Sequence, residues 1–191
     1  MRIIGGTMKG KKLATFSGRH IRPTPDRVRE AIFSILFSRA GTLSGNSVLD
    51  LFSGTGAMAL EALSRGAGRA VLIDQGAEAA RLITENLRAC EFLERAEFRS
   101  QDVLSALPRL PAERPFDLIF LDPPYRKGLV PTVLEAIAVR GLLAPGGWIV
   151  AEEARGEDVA PLPGGLVLCE SRNYGATAVH LLTHNEQKAQ G

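Results

Sequence analysis

Val48-Leu49-Asp50-Leu51-Phe52-Ser53-Gly54-Thr55-Gly56 is the stretch whose reading decides the fold. Its first half is apolar apart from Asp50, the pattern of a strand covered on both faces. Its second half is a glycine turn, and an apolar helix is expected over residues 57 to 65. Strand, glycine turn and helix in that order open a doubly wound α/β sheet, in which ligands bind outside the carboxyl ends of the strands.

The alternation continues toward the carboxyl terminus. Residues 70 to 73 read as a second strand ending at Asp74, and residues 77 to 91 as a helix with Ala80, Ile83, Leu87 and Cys90 on one face. Phe98 belongs to a third strand, with Asp102 just past its end. Residues 116 to 121 form a fourth buried strand, followed by a helix over residues 130 to 139. Gly146-Gly147 introduces a fifth strand at residues 148 to 151. Two further runs, 166 to 169 and 176 to 182, have no helix between them and predict an antiparallel pair.

Toward the amino terminus, short apolar pieces around Gly5-Gly6 and Gly10 predict a small hairpin carrying Lys9, Lys11 and Lys12. Thr24 is placed to cap a helix running to about residue 39, with Pro25 at its first position and Asp26 complementing its dipole. Val28, Ile32, Ile35 and Leu36 make its buried stripe. Arg22, Arg27 and Arg29 flank the helix start, a position that favours anions.

The 191 residues carry a net charge of +2, unevenly distributed. Residues 1 to 39 hold nine Lys or Arg against Asp26 and Glu30, a net +7, while the rest holds 14 against 19, a net −5. A basic arm beside an acidic body is expected of a protein that meets phosphates. With only Cys90 and Cys169 and no paired spacing, neither a disulfide framework nor a zinc cluster is expected. No run approaches the roughly 20 apolar residues of a membrane span, and a cytoplasmic location is expected. His20, His180 and His184 receive no catalytic role.

The fourth strand ends at Asp122-Pro123-Pro124-Tyr125. Two prolines stiffen the turn and leave carbonyls free to accept. A carboxylate, a free carbonyl and an aromatic ring suit an exocyclic amino group on a flat base: Asp122 and the Pro123 carbonyl accept its hydrogens, and Tyr125 stacks. Gly54-x-Gly56 followed by Asp74 twenty residues beyond Gly54 fits either a nicotinamide dinucleotide or S-adenosylmethionine. Asp50 favours the second, since a carboxylate there attracts an ammonium and repels a pyrophosphate. Asp102 could accept from an adenine amino group, and no second domain is read that would hold a hydride acceptor.

The ordered set Asp50-x-Phe52-x-Gly54-x-Gly56, Asp74, Asp102 and Asp122-Pro-Pro-Tyr125 resembles the class I S-adenosylmethionine-dependent methyltransferases that act on amino nitrogens. Arg2-Ile-Ile-Gly-Gly6, Arg22-Pro-Thr-x-Asp-Arg-Val-Arg-Glu30, Leu60-Glu-Ala-Leu-Ser-Arg65 and Asp122-Pro-Pro-Tyr-Arg-Lys-Gly128 resemble, more narrowly, the bacterial 16S ribosomal RNA guanine-N2 methyltransferases of the RsmD type. The resemblance implies a Rossmann-like, seven-stranded, mostly parallel sheet with helices on both faces and an antiparallel carboxyl-terminal pair. It frames a basic hairpin and helix (1–45), a catalytic domain (46–185) and a polar tail (186–191). Donor contacts are expected from Asp50, Phe52, Ser53, Gly54, Gly56, Asp74, Gln75, Asp102 and Val103, and catalytic ones from Asp122, Pro123, Pro124 and Tyr125. RNA contacts are expected from Lys9, Lys11, Lys12, Arg22, Thr24, Arg27, Arg29, Arg126, Lys127 and Tyr174. No metal is expected, the partner is 16S RNA within the small subunit, and a monomer is expected. Phe52 stands where many methyltransferases carry glycine, and Tyr125 where some of this family carry phenylalanine. Competing readings are a DNA adenine-N6 methyltransferase, a noncatalytic RNA-binding assembly factor and a small NAD-dependent oxidoreductase.

Overall fold

The computed structural model describes residues 1–17, 25–157 and 159–185. Two compact units divide the chain, Met1–Asp102 and Val103–Gly191.

In the first unit, β1 (Ser47–Leu51), β2 (Arg69–Asp74) and β3 (Ala96–Ser100) run parallel in the order β3-β2-β1. Every residue of β1 is buried, as its apolar run requires. β3 is mostly half-exposed because it is an edge strand, which is why only Phe98 marked it in the sequence. The helices are α1 (Asp26–Ala40), α2 (Ala57–Ser64) and α3 (Ala77–Ala89). The predicted stripe of α1, Val28, Ile32, Ile35 and Leu36, is buried. Pro25 occupies the cap of α1 rather than its first turn, and Thr24 lies outside the described residues.

The amino-terminal hairpin is present. Arg2 and Lys12 form an antiparallel bridge, Ile3 N–H bonds Lys11 O at 2.9 Å, and Gly10 N–H bonds Ile3 O at 2.9 Å. The second half of α2 seats it. Glu61, fully buried, accepts from Ile4 N–H at 2.7 Å, Gly5 N–H at 2.8 Å and Arg65 Nε at 2.7 Å. Ser64 Oγ accepts from Met8 N–H at 2.9 Å and donates to Gly5 O at 2.6 Å. The Arg65 guanidinium also lies over the rings of Phe33 and Phe37, 4.9 and 5.5 Å from their centroids. Backbone and helix approach so closely that a Cβ on Gly6 would lie 1.8 Å from Ser64 O, which only glycine permits.

In the second unit, β4 (Phe116–Leu121), β5 (Leu143–Ala154), β6 (Leu166–Tyr174) and β7 (Thr177–His184) follow the order β4-β5-β7-β6. β4 and β5 are parallel, and β7 is antiparallel to both β5 and β6. The strands number seven among the described residues, mostly parallel, with the antiparallel pairings at the carboxyl-terminal end. A short α4 (Val103–Ala106), a 3-10 turn (Leu107–Arg109) and α5 (Leu129–Arg140) complete the unit.

β5 begins five residues before the expected Trp148. Phe116 pairs with Leu143 but Leu118 with Trp148, so Ala144-Pro145-Gly146-Gly147 bulges from the ladder and regular pairing resumes at Trp148. The edge strand β6 also carries a bulge, between Leu168 and Glu170, and half-exposed Cys169 lies in it. His180 is buried on β7, its Nδ1 2.8 Å from Ser171 Oγ. Among the described residues no helix is long and apolar enough to cross a membrane.

Candidate active site

In the first unit, the loop after β1 is built to present backbone. Ser53 Oγ accepts from Ile73 N–H at 3.1 Å and donates back to the Asp50 carbonyl, which ties the turn to β2. Gly54 and Gly56 have φ of +57° and +76°. So does Phe52, at +59°, a costly conformation for an aromatic residue.

Asp74 stands at the end of β2 with both carboxylate oxygens directed at the turns. Oδ2 accepts from Gly54 N–H at 2.8 Å and Oδ1 from Gly76 N–H at 2.8 Å. Each oxygen has a further lone pair for a ribose hydroxyl. The same bonds take two loop donors away from any pyrophosphate. A pyrophosphate needs the loop N–H groups, and here Gly54 N–H is given to Asp74 while Gly56 N–H is given to Ser53 O at 2.7 Å. S-Adenosylmethionine, which brings hydroxyls and an ammonium but no phosphate, fits this donor set.

Asp50 is 3% exposed, and its Oδ2 accepts from Ala59 N–H at 3.0 Å in the first turn of α2. It therefore caps a helix as well as placing negative charge behind the loop. Gln75 is exposed just past β2, and Asp102 is half-buried two residues past β3. Val103, which opens α4 in the second unit, is buried.

In the second unit, Asp122 follows the last residue of β4. The residue keeps an edge toward solvent, yet burial of its carboxyl pushes the pKa up to about 7. Pro123 is buried, while Pro124 and Tyr125 are exposed. The Tyr125 hydroxyl is held 3.0 Å from Thr177 Oγ1 on β7, leaving the residue 39% exposed. Thr177 pairs with Tyr174 across the β6–β7 turn, so both tyrosines belong to one corner. Arg126 has φ +61°, and its N–H donates to Glu157 Oε2 at 3.2 Å. That oxygen also accepts from Ala154 N–H at 3.2 Å, which binds the loop to the end of β5. A rigid turn results, with a carboxyl of shifted pKa and an anchored aromatic ring. Cys90 offers no nucleophile, since burial raises its thiol pKa.

Of the RNA-contact residues, Lys9, Lys11, Lys12, Arg27, Arg126 and Lys127 are exposed, and Arg22 and Thr24 lie outside the described residues. Arg29 requires correction. It is 1% exposed, and its Nη2 donates to Arg2 O and pairs with Asp26 at 3.0 Å, so it clamps α1 to the hairpin instead of meeting phosphate. The sequence held the signal: Arg29 falls three, four and seven residues before Ile32, Phe33 and Leu36, inside the buried stripe. Asn86 was missed for a similar reason, standing alone as a polar residue on the buried face of α3. Thr177 and Glu157 act through contacts distant in sequence, which no local pattern announces.

Residues 1–183 match the protein family described as Conserved hypothetical protein 95. The chain is 35% identical to YlbH of Bacillus subtilis (strain 168) over 94% of its length and 96% of the relative's. It is 32% identical to the ribosomal RNA small subunit methyltransferase D of Escherichia coli (strain K12), covering all of this chain and 92% of that one. The solved structure of yhhF from Escherichia coli aligns with a TM-score of 0.84 and 32% identity, over 96% of this chain and 97% of the other.

Proposed function

The chain belongs to the Conserved hypothetical protein 95 family, the RsmD-type methyltransferases, and on that premise we propose that it methylates the N2 amino group of one guanine in 16S ribosomal RNA of the small subunit. It is an S-adenosylmethionine-dependent rRNA methyltransferase. The donor, when bound, supplies a sulfonium methyl group, and the sulfur keeps the electron pair of the bond that breaks.

The chain's own residues handle the acceptor. A guanine amino nitrogen is a weak nucleophile because its lone pair is delocalised into the ring. Asp122 and the Pro123 carbonyl accept its two hydrogens, favouring a pyramidal nitrogen as the new N–C bond forms. Tyr125 stacks on the base and removes its freedom to turn. After alkylation the surplus proton is acidic, and a carboxylate of pKa about 7 can take it and pass it to water. Lys9, Lys11, Lys12 and Arg27 meet phosphates from the hairpin and α1.

The observation that carries this reading is the carboxyl at Asp122, whose raised pKa stands beside an anchored tyrosine at a strand end. Asp122→Ala is expected to lower methyl transfer by a factor of about 10² to 10³ or more, as loss of one aligned polar group does. Donor affinity, read by calorimetry, remains that of the wild type. Full turnover by the variant would refute the role.

A further inference from the structure

We infer that Phe16 is a wall of the methyl-donor site and that Asn86 is the positioning residue that holds it there. The inference rests on the donor lying at the glycine loop, and goes beyond it by adding the chain segment that leaves the basic hairpin.

Asn86 sits on the buried face of α3, 1% exposed. Its amide is committed at both ends. Oδ1 accepts from Ala14 N–H at 2.7 Å, and Nδ2 donates to Ala14 O at 3.1 Å and to Thr55 O at 2.9 Å. One side chain thus forms a two-point bond to the backbone after the hairpin and a third bond to the glycine loop itself. The polar capacity of a carboxamide is nearly used up by this arrangement. A hydrophobic residue at position 86 would pack the helix as well, so packing alone does not call for asparagine.

The consequence appears two residues on. A Cβ built on Gly54 would lie 3.7 Å from Cε2 of Phe16, so the ring stands over the side of the glycine loop where a side chain at position 54 would project. Ser17 N–H then reaches Glu78 Oε1 at 3.5 Å on α3, keeping the segment's direction over the same loop. Gly54 is also the residue whose N–H is tied to Asp74, the acid suited to ribose hydroxyls. Phe16 is half-buried. An aromatic ring flanking a site for a sulfonium and a sugar offers both an apolar wall and attraction for the cation. Because the hairpin carries Lys9, Lys11 and Lys12, the segment that presents charge to RNA is bonded directly to the segment that shapes the donor site.

The test measures donor and product binding without RNA, by calorimetry, on the full chain. Phe16→Ala removes no hydrogen bond. It is expected to raise the Kd for S-adenosylmethionine about five- to tenfold, on the scale of one aromatic contact, with Tm unchanged and with Phe16→Tyr restoring wild-type affinity. In a separate methyl-transfer assay on small ribosomal subunits, Asn86→Ala is expected to raise the donor KM in the same direction while leaving kcat at saturating donor within twofold. Binding by Phe16→Ala within twofold of wild type would overturn the inference, and it decides alone if Asn86→Ala does not fold. Failure of the wild type itself to bind the donor would instead overturn the donor assignment.

Discussion

Replacing Asp122 by asparagine is predicted to stabilise the fold at alkaline pH and to leave it nearly unchanged in acid. A buried carboxyl whose pKa rises from the ordinary 3.8 to about 7 keeps a proton that the unfolded chain has already released. Between those two values the folded state binds more protons, so stability falls as pH rises from about 4 to about 7 and stays low above it. At about 1.4 kcal/mol for each tenfold change in proton affinity, the ceiling is roughly 4 kcal/mol. The edge that Asp122 shows to solvent reduces this to roughly 2 to 4 kcal/mol. Asparagine keeps the shape and never ionises. For a chain of this length each kcal/mol moves Tm by about 2 to 4 °C, so the variant is expected to melt roughly 5 to 15 °C higher at pH 8.5. The assay is thermal unfolding of both proteins, followed by circular dichroism, from pH 4 to 8.5. A Tm difference that does not change with pH would refute the reasoning.

Glu61→Ala leaves Ile4 N–H, Gly5 N–H and the Arg65 guanidinium without their buried acceptor. A loss of about 3 kcal/mol or more is expected in urea unfolding, and an unchanged midpoint would contradict it. Asp74→Ala removes the bridge between Gly54 and Gly76, and calorimetry is expected to show donor affinity reduced at least about thirtyfold. Tyr125→Phe gives up the bond to Thr177 but keeps a ring, and methyl transfer is expected to stay within a few-fold. Tyr125→Ala is expected to lower kcat/KM for RNA about ten- to hundredfold; the opposite ranking would assign the role to the hydroxyl instead.

The parts of the fold that sequence disclosed are those in which burial is local and periodic. β1, β2 and β4 are short apolar runs, and each ends within a residue of its expected limit because both faces are covered. Edge strands need apolar residues on fewer faces, which left β3 marked by Phe98 alone and β6 shorter than its true extent. The start of β5 was hidden by Pro145-Gly146-Gly147, since a proline and two glycines inside a strand read as a loop until the bulge is seen. In the site, Asp74 and Asp122 stand at the strand ends that composition and spacing gave them. What stayed hidden is the framework around them: Asn86, Thr177 and Glu157 act across 72, 52 and 31 residues of chain. Arg29 shows the opposite failure, where a charge beside a helix start was read as surface although its helical phase placed it in the core.

The most direct test of the guanine assignment is the identity of the methylated nucleoside. Small subunits from cells lacking the protein are incubated with the purified chain and isotopically labelled S-adenosylmethionine, and the digested 16S RNA is resolved by mass spectrometry. The label is predicted in N2-methylguanosine, at one site per subunit, and absent when Asp122→Ala is used. Label in N6-methyladenosine, or none in the RNA while the donor still binds, would contradict the proposed reaction.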